Sequence, residues 1–151
     1  MLTKFGLTVM AAVGMLLLTG GSAAAQVVTI QSSGYIAGGG GRPATTQPTG
    51  RFSTPTYPNG DGGKWRVRVT YGTIVNGTFS PFTVGNTPGE AFSAVEDVGR
   101  GMTNKVWGIS GPQNWPDGVG EQVVARAQLQ RSTDGGTTWS LEEAIAQFYV
   151  R

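Results

Sequence analysis

The chain of 151 residues has no cysteine and no histidine, and only 13% of its residues are charged. Without cysteine no disulfide can brace the fold, so packing must hold it together, and a thiol nucleophile or thiolate metal site is excluded. Without histidine the usual general base near neutral pH and the commonest transition-metal ligand are missing, and a Ser-His-Asp triad cannot be assembled. The 11 basic and 9 acidic residues nearly cancel, which gives no footing for nucleic acid as the partner. Long apolar runs are also scarce. The stretch from Phe5 to Leu18 falls short of the roughly 20 residues that span a bilayer.

What the chain does have is glycine, 25 residues of it, and 8 prolines. Residues 1–25 read as a secretory signal, with Lys4 as the positive region, the apolar run behind it, and Ala23 and Ala25 as the small residues of a cleavage site. A retained membrane anchor is the alternative. Cleavage would leave one domain, placed outside the cell, at the cell surface or in the periplasm, with no stable membrane insertion.

Gln26, Val27, Val28, Thr29 and Ile30 then form a short β-prone run. Residues 34–63 carry a run of four glycines from Gly38, the prolines Pro43, Pro48, Pro55 and Pro58, and few apolar groups to offset ordering entropy. This predicts a short strand followed by a Gly/Pro-rich flexible leader, or else a long ordered loop, over 26–63, ahead of a β-sandwich domain over 64–151. In the competing reading Tyr35, Ile36, Phe52 and Tyr57 dock on a neighbouring surface.

From Lys64 the pattern changes. Trp65, Val67, Val69 and Tyr71 alternate with Arg66, Arg68 and Thr70, which puts apolar groups on one strand face and cations on the other. Asn76-Gly77 suits a type I′ hairpin turn, setting Val75 opposite Thr78, Tyr71 opposite Phe82 and Val69 opposite Val84. Pro81 lacks a backbone donor, so the returning strand belongs at an edge or a bulge. Thr87 and Glu90 frame a capping box with Pro88 at the first helical position, predicting a short helix near 88–98, while Phe92 and Val98 also fit a strand alternation that all-β neighbours would favour. Residues 105–110 read as a strand. After a Pro/Gly loop containing Trp115, residues 121–131 alternate again. For residues 140–149 two patterns compete: a helix capped by Ser140 and Glu143, and a strand bulged at Glu142-Glu143, the strand being preferred. Together these elements predict an all-β fold, an antiparallel β-sandwich of the immunoglobulin-like or jelly-roll-like kind with about six or seven strands.

The turn between the last two runs holds Ser132, Asp134, Gly136, Thr138 and Trp139. Asp134 can accept backbone hydrogen bonds within its own turn, the glycines permit left-handed backbone angles, and Trp139 can pack over the hairpin. The pattern Ser-x-Asp-x-Gly-x-Thr-Trp resembles the Asp-box, or BNR repeat, a β-hairpin element of sialidases and other secreted β proteins. There it is structural and lies away from catalysis, so the resemblance implies a hairpin clasp and no catalytic residue. One copy in a chain of this length does not make a propeller.

Carboxylates are the remaining catalytic candidates: Glu96-Asp97, Asp117 with Glu121, and Glu142-Glu143. Adjacent strand residues point to opposite faces, so neither contiguous pair forms a natural dyad, and a solvated surface is preferred. Asp61 lacks the further ligands of a calcium loop and reads as a turn residue. No catalytic residue, cofactor or metal is expected. Trp115 is either a plug under its loop or a platform for a sugar or protein. Arg66 and Arg68, with Arg126 on a neighbouring strand, form either a solvated face or a cationic stripe for acidic polymers. The sequence thus predicts a secreted, non-catalytic structural or adhesive protein whose partner is a protein, including another copy of itself, or an extracellular glycan. Residues Val27, Val28 and Ile30 would donate a strand to the next subunit of a fibre, or fold back as the first strand of their own domain. A small carbohydrate-binding or carbohydrate-active module is the alternative.

Overall fold

A computed structural model describes residues 26–81, 89–114 and 123–149, with the side chains of Asn114, Glu143, Phe148 and Tyr149 left aside. The strands are β1 (Val27–Ser32), β2 (Thr45–Thr46), β3 (Thr49–Ser53), β4 (Lys64–Val75), β5 (Thr78–Pro81), β6 (Glu90–Phe92), β7 (Glu96–Asp97), β8 (Lys105–Gly108), β9 (Gln113–Asn114), β10 (Val124–Ser132) and β11 (Ser140–Tyr149). All pairings between them are antiparallel. A large sheet runs β11-β10-β4-β5, with β6 and β7 also paired to β4; a small sheet runs β1-β3-β8; β2 pairs with β9. The fold is therefore all-β and sandwich-like. It has more and shorter strands than the six or seven expected, because β4 is long enough to take β5, β6 and β7 in succession along one side. Among the described residues no helix is long and apolar enough to cross a membrane.

The period-two pattern of β4 determines where the core lies. Trp65, Val67 and Val69 are fully buried and Tyr71 nearly so, and the register sets Tyr71 beside Ala125, Val69 beside Ala127 and Val67 beside Leu129. Opposite them stand Val28 of β1, Phe52 of β3 and Trp107 of β8, in the same buried cluster.

Residues 34–63, expected as a flexible leader or a long ordered loop, contribute a paired strand and buried side chains to the fold. Phe52 is only 1% exposed, and Thr46, Pro48 and Thr54 are buried with it. β3 lies between β1 and β8 and holds both. Of the expected docking residues, Phe52 is core and Tyr35 and Tyr57 pack against the core, while Ile36 stays exposed. A few anchors suffice because the rest of the segment is secured by its backbone: Ile36 and Thr45 exchange hydrogen bonds at 2.8 and 3.0 Å, and the Thr54 amide donates to the Met102 carbonyl at 2.9 Å. Gly50 is required here. It pairs with Trp107, whose indole Nε1 donates to the Thr29 carbonyl at 3.1 Å. A Cβ on Gly50 would stand 1.8 Å from the Thr29 carbonyl oxygen and 2.9 Å from that Nε1.

The strand at 27–30 pairs with β3 of its own chain, Val28 opposite Phe52 and Ile30 opposite Gly50. Its far edge runs beside β11, where the Gln26 side-chain amide donates to Glu142 at 3.1 Å.

The Asn76-Gly77 turn sets Val75 opposite Thr78 as expected, both turn residues have positive φ, and Pro81 ends an edge strand. Phe82 and Val84 lie outside the described residues. On that side of β4, Val69 pairs with Ala91.

The helix expected near 88–98 is absent from its described part: residues 90–92 and 96–97 are β6 and β7. The reason is the unpaired stretch of β4 beyond β5, whose buried backbone groups demand partners. The Ser93 amide donates to the Val67 carbonyl at 2.9 Å, and the Val67 amide donates to the Ser93 hydroxyl at 2.8 Å. Local helical preference of a few tenths of a kcal/mol per residue cannot match that loss.

Residues 140–149 form β11, antiparallel to β10, with the register slipping between Leu141 and Ile145. The two extra residues on β11 fall at the bulge expected around Glu142-Glu143.

Candidate functional site

The outer face of the large sheet is the densest collection of chemistry in the described chain. Because Trp65, Val67 and Val69 point inward, Arg66 and Arg68 must point outward. The β10 register places Gln130 beside Arg66, Gln128 beside Arg68 and Arg126 beside Thr70. On β11, Leu141, Ile145 and Gln147 are aligned with Gln130, Gln128 and Arg126. On the opposite side of β4, Phe92 is aligned with Arg68 and Glu90 with Thr70.

Long side chains then reach diagonally across this lattice. The Arg66 guanidinium carbon lies 4.0 Å from the centre of the Phe92 ring and 4.2 Å from that of Trp139. Phe92 comes from β6 on one side of β4 and Trp139 from beyond β10 on the other, so the guanidinium is held between two rings. Its Nε donates to Gln130 Oε1 at 2.7 Å. A second unit repeats the arrangement. Arg126 stacks on Phe79 at 4.2 Å, and its Nε and Nη2 donate to Gln147 Oε1 at 3.1 and 2.9 Å. Phe79 reaches Arg126 because Gly72, between them on β4, is bare: a Cβ there would meet the Phe79 ring at 2.8 Å. Between the two units Arg68 pairs with Glu90 at 2.7 Å.

The charges do not cancel. Among the described side chains, Arg66, Arg68 and Arg126 face one carboxylate, Glu90, while Arg66 and Arg126 are held by neutral amide oxygens. Burial lowers both of their pKa values; Arg68 lowers and Glu90 raises that of Arg66. Guanidinium groups remain protonated throughout the physiological range regardless. Leu141 and Ile145 add apolar area at 51% and 41% exposure.

The turn beyond β10 supports one wall of this face. Ser132 donates its hydroxyl to Asp134 Oδ1 at 2.7 Å and accepts the Gly136 amide at 2.8 Å. The Thr137 and Thr138 amides donate to Asp134 Oδ1 at 3.0 and 2.9 Å, and the Thr138 hydroxyl donates to Oδ2 at 2.5 Å. These bonds, with those of Thr138 the largest, hold the Asp134 carboxyl well below its ordinary value of 3.8. The Trp139 Nε1 donates to the Gly136 carbonyl at 3.1 Å, which fixes the ring that covers Arg66. Gly135 and Gly136 have positive φ.

The carboxylates do not converge. Asp97 pairs with Lys64 at 2.7 Å, Glu96 lies 3.8 Å from Lys105, and Glu142 accepts from Gln26. Asp117, Glu121 and Trp115 fall outside the described residues. Asp61 follows the turn at 58–60, in a segment whose carbonyls are engaged: Arg131 Nη2 donates to the Asp61 carbonyl, and Arg131 Nε and Trp65 Nε1 both donate to that of Gly62. Among the described residues no group of three metal-ligating side chains comes together. An open cleft of about 310 Å³ runs between the 132–135 turn, Gly60, Gly63 and Gly99, with the Lys64–Asp97 pair at its side. Half of its lining residues are glycines, and its two charged side chains, Lys64 and Asp97, are paired with each other.

Val27, Val28 and Ile30 are not part of the arginine face; they lie in the small sheet, with Val28 buried. Sequence reading grouped Arg66, Arg68 and Arg126 but missed Phe79, Phe92, Gln130 and Gln147, and took Trp139 for a clasp alone. The missing signal is register, since each partner comes from a strand whose alignment with β4 or β10 the local pattern does not reveal.

Comparison with family models, with curated proteins and with solved structures finds no match for the chain.

Proposed function

We propose that the protein is a secreted, non-catalytic structural or adhesive component of the cell surface or extracellular matrix, and that the outer face of the large sheet is its contact surface. The observation that carries this reading is the pair of arginine–aromatic stacks, Arg66 between Phe92 and Trp139 and Arg126 on Phe79. Such stacks hold cations in place at a surface, where a freely rotating side chain would lose more entropy on binding. The lack of histidine and cysteine and the separate engagement of the described carboxylates support a non-catalytic role. The hydrogen bonds of Ser132, Asp134 and Thr138 support reading the turn as an Asp-box clasp that holds Trp139 in the face. A small carbohydrate-binding module is the second reading, favoured by the same face.

β1 is paired with β3 of its own chain, so donating it to a neighbouring subunit would first cost that pairing. Fractionation of producing cells, followed by washing of the envelope with rising salt, tests the reading. The protein should be recovered outside the cytoplasm and be released by salt, and the R66Q/R126Q variant should be retained less. Recovery from the cytosol, or equal retention of both forms, overturns it.

A further inference from the structure

The arginines of the outer face form a diagonal. Arg66 and Arg68 are two residues apart on β4, and Arg126 on β10 is aligned with Thr70, two residues further on. At about 3.3 Å per residue and about 4.8 Å between strands, the line from Arg66 to Arg126 covers roughly 14 Å. That is too long for one small anion to bridge and suits an extended chain carrying charge on successive units.

The guanidinium groups are also presented in a particular way. With rings on both sides of Arg66 and its Nε given to Gln130, the edge formed by its two terminal nitrogens is the approach left open. Arg126 commits Nε and Nη2 to Gln147 and keeps Nη1. Among the described residues these remaining donors carry no hydrogen bond. An in-plane pair of N–H groups matches the two oxygens of a carboxylate or sulfate. Gln128 lies beside Arg68 with Ile145 next to it, and Gln130 lies beside Arg66 with Leu141 next to it, so apolar surface flanks the polar line, as apolar ring faces flank the polar groups of a sugar chain.

We infer that the outer sheet face binds an acidic polysaccharide, with Arg66, Arg68 and Arg126 as successive carboxylate- or sulfate-binding positions. The inference rests on the reading of this face as the contact surface and adds the class of its ligand. Arg68 is released from Glu90 as the polymer arrives, exchanging one carboxylate partner for another. Binding is electrostatic in part and weakens as salt rises.

The test is a titration of the purified full-length secreted protein with a polyuronate and a sulfated glycan, using neutral dextran and single-stranded DNA as comparison polymers, at two salt concentrations. The wild type should bind the acidic polysaccharides more tightly than DNA of equal charge, and should not bind dextran. R66Q should weaken binding by about tenfold or more, the loss expected for one charge-assisted hydrogen-bond pair. R66Q/R126Q should abolish binding, and R42Q, in the exposed turn far along the chain, should leave it unchanged. Melting curves of each variant show whether the fold is kept; if R66Q unfolds, R126Q and R66K carry the same comparison. Equal binding by wild type and R66Q/R126Q, or DNA bound as tightly as the polysaccharides, overturns the inference. If the protein still adheres to cell envelopes through Arg66 and Arg126 while neither polysaccharide competes, the ligand class is wrong and the contact face stands.

Discussion

Replacing Phe52 by alanine measures directly whether residues 34–63 belong to the folded core. The ring is 1% exposed and packs in one cluster with Val28, Trp107, Val67 and Val69. Removing a fully buried phenylalanine ring costs about 3–5 kcal/mol, the transfer term plus the cavity left behind. In a domain of this size each kcal/mol lowers the melting temperature by roughly 4 °C, so F52A should melt about 12–20 °C below wild type. The assay is thermal and urea unfolding followed by tryptophan fluorescence and far-ultraviolet circular dichroism. The midpoint should move while the urea slope stays unchanged, since the surface exposed on unfolding is nearly the same. Ile36→Ala is the matched control: at 66% exposure its removal should cost less than about 0.5 kcal/mol. Should F52A leave too little folded protein to measure, Phe52→Leu gives a smaller shift of the same sign. A shift below about 2 °C for F52A would mean that the segment is a detachable leader and that the small sheet is not part of the core.

Trp139→Ala removes one side of the Arg66 stack and the wall of the outer face; stability should fall by about 1–2 kcal/mol in urea titrations, and an unchanged midpoint would show that the stack holds nothing. Asp134, with its carboxyl pKa depressed in the folded state, contributes stability that is fully present above its ordinary value and is lost as pH falls through the folded value. The wild-type melting temperature should therefore drop below about pH 4, D134N should melt lower near neutrality with a flatter acid limb, and parallel curves would contradict this. Among the described residues the buried Tyr71 hydroxyl meets no partner at full hydrogen-bonding geometry; burial raises its pKa, and the nearby Thr46 side chain, which lowers it, offsets only part of that. Tyr71→Phe should be neutral or stabilising by up to about 1 kcal/mol, and a loss of that size would reveal a partner for the hydroxyl.

Sequence patterning made β4 and β10 legible, because each alternates over many residues and one buried face leaves no freedom of register. It also marked the Asn76-Gly77 turn and the bulged strand at 140–149. The small sheet was hidden for a physical reason: Phe52 and Trp107 are isolated apolar anchors, and Thr46, Thr54 and Gly50 are core residues without apolar character. Their burial depends on long-range backbone pairing that composition does not encode. The 88–98 stretch misled in the other direction. Its capping box is a local signal, and the open side of β4 offered Ser93 and Ala91 long-range partners that outweigh it. The candidate site was half visible, since outward arginines follow from the period of two. Their aromatic partners depend on which strands lie beside β4 and at what offset, and on a bare Gly72 that lets Phe79 cross the sheet.

The most direct measurement is a nuclear magnetic resonance titration that follows the arginine side-chain Nε–H signals while a polyuronate is added. The proposed face predicts that Arg66, Arg68 and Arg126 shift together and saturate at one polymer concentration, while Arg42, Arg51 and Arg100 stay fixed. Shifts confined to those other arginines, or no shift in Arg66 and Arg126 at saturating polymer, would contradict the proposal that this sheet face is the binding surface.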